Sequence, residues 1–254
     1  MLKFSPANAK TSSLYQVASV APFLKGGRKV YSLDTRCGHD CPGAKDCKSM
    51  AVQRDDNPLK FTIKDGPDCR FRCFSASQEA QYPSLRELRA HNSALLHKLR
   101  GAKSICRQIL ADLPANAGVI RYHVGGDFFK RSYLQGAIDA AKARPDVLFY
   151  AYTKSLPYLV GVELPPNFRV TTSRGGKHDH LIEGLNLREA VVVFSKEEAQ
   201  QMGLPIDKDD SSAAGDGGSF CLLLHGTQPR NSAASVALQA LKGRGSYNRK
   251  KKES

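Results

Sequence analysis

The stretch VIRYHVGGDFFKRSYLQGAIDAAKARPDVLFYAYT, residues 119–153, decides the fold class of this 254-residue chain. Its first part, VIRYHVGG (119–126), is an apolar run of strand length, and SYLQGAIDAAKARP has helical spacing through Ala143. Its last part, VLFYAYT (147–153), is almost continuously apolar, which is typical of a strand buried on both faces in a parallel sheet. A strand, a helix and a second strand in succession predict a β/α protein.

The same alternation continues on both sides of this stretch. Four further strands are predicted: VYSLD (30–34), FRVTTS (168–173), AVVVFS (190–195) and CLLLHG (221–226). Six parallel strands with crossover helices predict a partial (β/α)6 TIM-like barrel with an N-terminal cysteine-rich metal-binding loop, or alternatively an open doubly wound sheet, and periodicity does not choose between them. We expect an N-terminal extension (1–29), a single β/α domain (30–241) that includes the cysteine-rich loop 37–73, and a basic flexible tail (242–254).

The helical segments carry their own boundary signals. Residues 83–114 predict a long helix with Ser84 as N-cap and Glu87 completing a capping box, and Gly101 is a point where it could divide. KEEAQQMG predicts a helix that Gly203 closes, and SAASVALQALKG predicts the last one. The Gly/Ser-rich segment DKDDSSAAGDGGS (207–219) predicts a polar surface loop.

Five of the seven cysteines crowd into one short region of the chain. They are Cys37, Cys41, Cys47, Cys69 and Cys73. Thiolates spaced by a few residues on a loop can converge on one centre, so the cluster predicts a structural zinc or a [4Fe–4S] cluster. No pair has the two intervening residues of a standard zinc ribbon. We expect Cys106 and Cys221, which lie apart, to be small buried residues.

Polar residues follow several predicted strands, and in a parallel sheet those carboxyl ends share one edge. Asp127, after the glycines 125 and 126, is a candidate acid, base or cofactor anchor, because Gly125 and Gly126 let a ligand approach the backbone; a helix N-cap is the alternative. His123 is expected to face the interior on the same side as Gly125 and Asp127, or else to be a hydrogen-bonded core histidine.

Two basic residues stand at the ends of later strands. Lys154 could neutralise a phosphate or carboxylate, and Arg174, with the glycines that follow, could form a small anion-binding turn. Ser173 ends the fourth predicted strand.

Composition narrows the class of protein further. A hydrophobic content of 41% is enough for a full core and argues against a disordered chain or a disulfide scaffold. A formal net charge of +14 predicts a polyanionic partner, nucleic acid first, and DNA ahead of RNA. Without an apolar run of about 18 residues, we expect no membrane partner and a cytoplasmic protein.

The tail concentrates part of that positive charge. Its cations are Lys242, Arg244, Arg249, Lys250, Lys251 and Lys252. We predict an arm that contacts nucleic-acid phosphates, with a purely solubilising tail as the alternative.

Five segments occur in the order found in a known family. CPGAKDC, the triplet Cys73-Phe74-Ser75, YPSLRELRAHN, RYHVGGDF and FYAYTK resemble the phage proteins called gene product 88. The similarity covers residues 30–155 well. It implies a phage or prophage protein, in the cytoplasm of a host cell.

A more distant resemblance is to the radical S-adenosylmethionine superfamily, whose partial barrel has six β/α units. There the cluster cysteines follow strand one, as Cys37 does here, and a Gly-Gly-acid motif like Gly125-Gly126-Asp127 follows strand two and contacts the amino group of the methionine. Superfamily members also tend to place a polar residue after strand four, where Thr171 and Ser173 stand here, so the resemblance makes Ser173 a candidate cofactor contact. This resemblance implies a [4Fe–4S] cluster with S-adenosylmethionine, although the superfamily's cysteines are spaced by three and then two residues, whereas here the gaps are three and five.

Three functions fit these observations. The first is a radical-S-adenosylmethionine-like phage enzyme that acts on nucleic acid or nucleotide precursors. The second is a base-exchange enzyme similar to DNA transglycosylases, in which Asp127 does the chemistry and the cysteines hold zinc. The third is a non-catalytic, zinc-stabilised nucleic-acid-binding protein connected with phage replication.

Overall fold

The structure is a computed structural model that describes residues 1–6 and 11–241. Its centre is a seven-stranded sheet in the order β1-β2-β5-β6-β7-β8-β9, and a separate hairpin pairs β3 with β4. The strands are β1 Ser5–Pro6, β2 Lys29–Leu33, β3 Ser49–Gln53, β4 Phe61–Asp65, β5 Ala117–Tyr122, β6 Leu148–Thr153, β7 Phe168–Ser173, β8 Glu189–Val193 and β9 Phe220–Leu223. Within the described part of the large sheet, β1 pairs antiparallel with β2 and the other neighbouring strands pair parallel. The predicted α/β class with a mostly parallel sheet is confirmed.

Helices connect these strands. They are α1 Phe74–Gln81, α2 Pro83–Lys98, α3 Gly101–Asp112, α4 Arg131–Ala143, α5 Ile182–Leu185, α6 Lys196–Gln201, α7 Ser211–Ala214 and α8 Ala233–Ala240. The parallel strands are neighbours in the order in which they occur in the chain, without the reversal that defines a doubly wound sheet. Within the described residues the outermost strands, β1 and β9, do not pair, so the sheet is not closed into a barrel. No helix in this part of the chain is long and apolar enough to cross a membrane.

Each face of the sheet carries its own core. On one face, Ile105 and Ile109 of α3 and Ala137 of α4 pack against strand residues such as Phe149. On the other face, Leu14 and other apolar residues of the N-terminal segment join Ala213 and Ala214 in covering Val119, Leu148 and Tyr150. The second core fills the amino-terminal half of that face, which leaves its carboxyl-terminal half for the site described below.

Two boundary predictions for the long helix had different outcomes. The division at Gly101 is confirmed, because α2 ends at Lys98 and α3 begins at Gly101, whose φ is 76°. The capping box at Ser84 and Glu87 is wrong: α2 begins at Pro83 after Tyr82, and no side chain caps it. Proline is preorganised for the first helical position, so Pro83 starts the helix two residues before the start that a cap at Ser84 would give.

Two further expectations are corrected by the structure. The strand predicted over 119–126 stops at Tyr122, and His123 takes a left-handed φ of 66°, so the alternation expected to align His123 with Asp127 does not continue. Residues 207–219 lie only partly at the surface: Lys208 and residues 216–218 are exposed, but Asp210 is only 3% exposed and Ala213 and Ala214 are fully buried. The apolar pair Ala213-Ala214 packs into the second core and carries Asp210 inside with it.

Candidate functional site

A cavity of about 160 Å³ lies at the carboxyl ends of the parallel strands. Four of its lining residues are Cys37, Cys41, Cys47 and Cys73, and the loop of Gly125, Gly126 and Asp127 lines another side. We call this space the cysteine cavity. A second cavity of about 140 Å³ adjoins it and shares Cys47 and Cys73. The structure therefore brings four of the five predicted metal ligands beside the predicted cofactor loop.

Backbone contacts fix the cysteine-rich loop against the ends of β6 and β7. Lys177 N donates to Gly43 O at 2.9 Å, and Asp46 N donates to Gly175 O at 2.9 Å. A Cβ on Gly43 would lie 2.0 Å from the carbonyl oxygen of Lys154, so only glycine allows this approach. The glycine in CPGAKDC thus places Cys41 and Cys47 over the sheet.

The thiols of Cys37 and Cys73 contact each other, with 3.4 Å between their Sγ atoms. Cys73 immediately precedes α1, and its pKa is lowered to about 7 by the hydrogen bond from Cys37, by N–H groups at the start of α1 and by the charge of Arg89. Hydrogen bonds to Cys41 and Cys73, together with burial, raise the pKa of Cys37. Cys73 is therefore the thiol of this pair that loses its proton more readily. The resulting thiolate is the form that binds metals.

Cys47 and Cys69 have different surroundings. Burial raises the pKa of Cys47 to about 12, an effect that the nearby charge of Lys154 partly offsets. Cys69 does not line the cysteine cavity, and its Sγ lies 3.5 Å from Ser49 Oγ and 3.2 Å from Phe71 O. Of the two remaining cysteines, Cys221 is buried and Cys106 is partly exposed. Among the residues that the structure describes, no group of three or more His, Cys, Asp or Glu side chains is arranged to hold a metal ion.

Asp127 joins the end of β5 to the end of β6. Its Oδ1 accepts hydrogen bonds from Phe128 N at 2.7 Å and Thr153 Oγ1 at 2.6 Å, and its Oδ2 accepts one from Lys154 N at 2.9 Å. Burial raises the pKa of Asp127 to about 6, although these donors act in the opposite direction. The residue is not the N-cap of α4, which is Lys130. Its carboxylate therefore orders the loop that borders the cavity.

The two glycines before Asp127 are required by packing. A Cβ on Gly125 would lie 2.6 Å from Arg89 Cζ, and one on Gly126 would lie 1.9 Å from Thr35 Oγ1. Gly126 also has a φ of 90°, which side-chain-bearing residues rarely adopt. The glycines therefore let the loop lie close to buried side chains, and they bring its backbone to the cavity wall.

The predicted basic residues have defined partners. The ammonium group of Lys154 donates to Ser173 Oγ at 2.8 Å and Ser173 O at 2.9 Å, and both residues line the cysteine cavity. Arg174 instead pairs with Glu189 at 2.7 Å. Lys154 thus brings a positive charge to the thiols, whereas Arg174 lies outside the cavity lining.

His123 is a buried neutral histidine at the edge of the cavity. Burial, with a contribution from the charge of Arg121, lowers its pKa to about 3. Its Nε2 lies 3.0 Å from Tyr133 Oη, and its ring packs against Phe128. These contacts place His123 in the aromatic core as well as at the cavity.

The sequence did not predict one wall of the cavity, which Arg121, Tyr152 and Asp210 form and which we call its floor. Arg121 of β5 forms a buried ion pair with Asp210, and Tyr150 Oη and Tyr152 Oη lie 3.0 and 3.3 Å from the Asp210 carboxylate. Arg121, Tyr152 and Asp210 line the cysteine cavity. The sequence did hold a sign of this ion pair. Arg121 lies inside the apolar run VIRYH, and a charged side chain in a buried strand needs an oppositely charged partner.

The fold and the cavity together define an α/β protein with a thiol-lined cavity at the carboxyl end of a parallel sheet. Comparison with protein-family models then identifies the family: the model described as Gene product 88 matches residues 2–242. The chain belongs to the gene product 88 family, and the match extends well beyond residues 30–155. No curated protein and no solved structure matches it.

The predicted tail contacts cannot be placed in this site. Lys242, Arg244, Arg249, Lys250, Lys251 and Lys252 lie outside the described residues.

Proposed function

We propose that this protein is an enzyme with an iron–sulfur cluster, similar to the radical S-adenosylmethionine enzymes, that acts on nucleic acid or nucleotide precursors. The observation that carries the proposal is that Cys37, Cys41, Cys47 and Cys73 line one cavity with the Gly125–Asp127 loop. A partial (β/α)6 barrel is the matching interpretation of the sheet, since the six parallel strands are neighbours in chain order.

The chemistry of the four thiols favours an iron–sulfur cluster. Thiolates select zinc or iron–sulfur centres over harder metal ions. The four sulfurs are distributed around a cavity of about 160 Å³, which suits a cluster of several iron atoms better than one zinc ion. Lys154 and Arg89 place positive charge near Cys47 and Cys73, so the thiolate charge is partly compensated.

The chain's own residues give the cavity two ends with different chemistry. At the sulfur end, Gly125 and Gly126 present backbone, and Asp127 holds that loop in place through Thr153 and Lys154. When bound, a reduced cluster of this kind would supply an electron to S-adenosylmethionine. At the floor, Arg121 is available to an acceptor group of a substrate, because several of its donors remain beyond the Asp210 pair.

The base-exchange alternative fits the site less well. It requires Asp127 to attack or to accept a proton, but both carboxylate oxygens already accept hydrogen bonds from the backbone and from Thr153. An attacking carboxylate would have to break this set and disorder the loop. The zinc-stabilised binding protein differs from our proposal in the identity of the metal and in the absence of turnover.

Turnover of S-adenosylmethionine tests the proposed enzyme. The full chain is purified without oxygen, reduced with dithionite, and incubated with S-adenosylmethionine, and the released methionine is quantified. We expect methionine release from the wild type and from the control variant Cys106→Ser. The thiol of Cys106 does not line the cavity. We expect none from Cys41→Ser. A reduced, iron-loaded wild type that releases no methionine would refute the proposed activity.

A further inference from the structure

Half of the net positive charge of this protein comes from the segment that forms α2, α3, β5 and α4. Residues 83–144 contain eleven lysines and arginines against four acids, so their net charge of +7 is half of the formal +14 of the whole chain. Two of these cations, Arg89 and Arg121, are buried. The remaining nine lie on the outer helices and the loops beside them.

Four of the cations form a stripe that begins at the end of α2 and follows α3. Lys98, Arg100, Lys103 and Arg107 are all exposed. Within the described residues, none of them forms an ion pair with an acid. Asp112, the acid at the end of α3, accepts hydrogen bonds from Leu2 N and Gln108 instead. The acids of the described residues therefore do not pair with this basic stripe.

The spacing of the stripe suits a chain of phosphates. Positions 103 and 107 lie four residues apart and so share one face of α3, and Arg100 is the residue directly before that helix. At about 1.5 Å per residue they extend over roughly 10 Å. Duplex DNA carries one negative charge per about 1.7 Å of its axis, so this length meets about six phosphate charges.

The stripe begins at the same end of the molecule as the cysteine cavity. Helix α3 leads into the amino end of β5, so its own first residues lie at the carboxyl end of the sheet. Lys130, which closely follows the Gly125–Asp127 loop, donates to Leu96 O at 2.8 Å and Leu99 O at 2.9 Å. Its partners are carbonyl groups, so the ammonium adds further uncompensated charge beside Lys98 and Arg100.

We propose that the basic stripe of Lys98, Arg100, Lys103 and Arg107 binds the phosphate backbone of a nucleic acid. The stripe contains neither the tail residues nor Arg174. The inference does not depend on the metal at the cysteine cavity, so its failure and that of the proposed enzyme are distinguishable.

Binding of labelled 20-nucleotide probes across a salt series tests the proposal. The probes are a duplex DNA, a single-stranded DNA and a single-stranded RNA. The stripe variant carries Lys98→Gln, Arg100→Gln, Lys103→Gln and Arg107→Gln. The matched control, with Lys25→Gln, Lys29→Gln, Lys60→Gln and Lys64→Gln, removes four exposed charges elsewhere and reaches the same net charge. Thermal melting verifies that both variants are folded.

We expect the stripe variant to lower the slope of log affinity against log salt by about 3 to 4 on duplex DNA, at about 0.9 per lost contact, or by about 3 on single strands. The control should leave the slope within about one unit of the wild type. The probe with the greatest loss identifies the preferred nucleic acid. Equal losses in both variants would show a dependence on net charge alone and would overturn the proposal, as would a wild type that binds none of the three probes.

Discussion

The Sγ atoms of Cys37 and Cys73 lie 3.4 Å apart, although 36 positions separate the two residues in the chain. Helix α1 holds both of them. Cys73 is its N-cap residue, and Glu79, within the helix, accepts a hydrogen bond from Cys37 N at 2.8 Å. Arg89 pairs with Glu79 at 3.1 Å and fixes this carboxylate in turn. The thiol contact is therefore built into the fold around α1.

We expect this contact to become a disulfide when metal-free protein is oxidised. The two sulfurs need to approach by little more than an ångström to reach a bond of about 2.05 Å, and Cys73 supplies a thiolate, from which, with the Cys37 thiol, oxygen in the air removes two electrons and the remaining proton. Peptide mass spectrometry of chelator-treated protein in air should show a Cys37–Cys73 crosslink. A crosslink from Cys37 to Cys69 as the main product would contradict the arrangement.

The buried pair of Arg121 and Asp210 should be strongly coupled. Arg121→Met leaves the Asp210 carboxylate buried without its cation, which should lower the free energy of unfolding by about 3–5 kcal/mol. The double variant with Asp210→Asn removes both charges and should lose clearly less than the sum of the single variants. Urea unfolding measures all three, and additive losses would show that the two residues do not interact.

Asp127 should matter for stability because its two oxygens accept three hydrogen bonds. Asp127→Asn replaces one carboxylate oxygen with an NH2 group. This new donor then faces another donor, either Lys154 N or the groups that bind the other oxygen. We expect a loss of about 1–3 kcal/mol in the free energy of unfolding. Asp139→Asn, at a helix position whose carboxylate accepts from Gln135, serves as the control with a change within about 0.5 kcal/mol. Equal stability of both variants would refute the conclusion that the hydrogen bonds of Asp127 hold the loop in place.

His123 should make stability fall at acidic pH. Its pKa is about 3 in the folded protein and near 6.5 when unfolded, so between these values the unfolded state binds the extra proton. The wild type should therefore lose up to about 1.4 kcal/mol per pH unit relative to His123→Asn as the pH falls below about 6. Asparagine tolerates the positive φ at this position. A stability difference between the two proteins that stays constant from pH 7 to 5 would refute the conclusion that His123 is buried in its neutral form.

The sequence predicted the sheet better than it predicted the site. Strand length and apolar runs locate strands well, and residues 168–173 have the predicted bounds. Local patterns carry no information on distant partners, however. Asp210 stands in a Gly/Ser-rich, acidic segment that is typical of a surface loop, but the need of Arg121 for a counter-charge and the burial of Ala213 bring it inside. The convergence of Cys73 with Cys37 likewise depends on α1, which the cysteine spacing does not reveal.

Iron and sulfide content per chain tests the central proposal most directly. Anaerobically purified wild type and Cys69→Ser should be brown, absorb near ~400 nm and contain about four irons and four sulfides per chain. At least three of the variants Cys37→Ser, Cys41→Ser, Cys47→Ser and Cys73→Ser should lose most of the iron, because these four thiols line the cavity and a cluster that binds S-adenosylmethionine at one iron needs three of them. A colourless wild type with one zinc per chain, or iron that is lost from Cys69→Ser and kept in Cys41→Ser, would contradict the account.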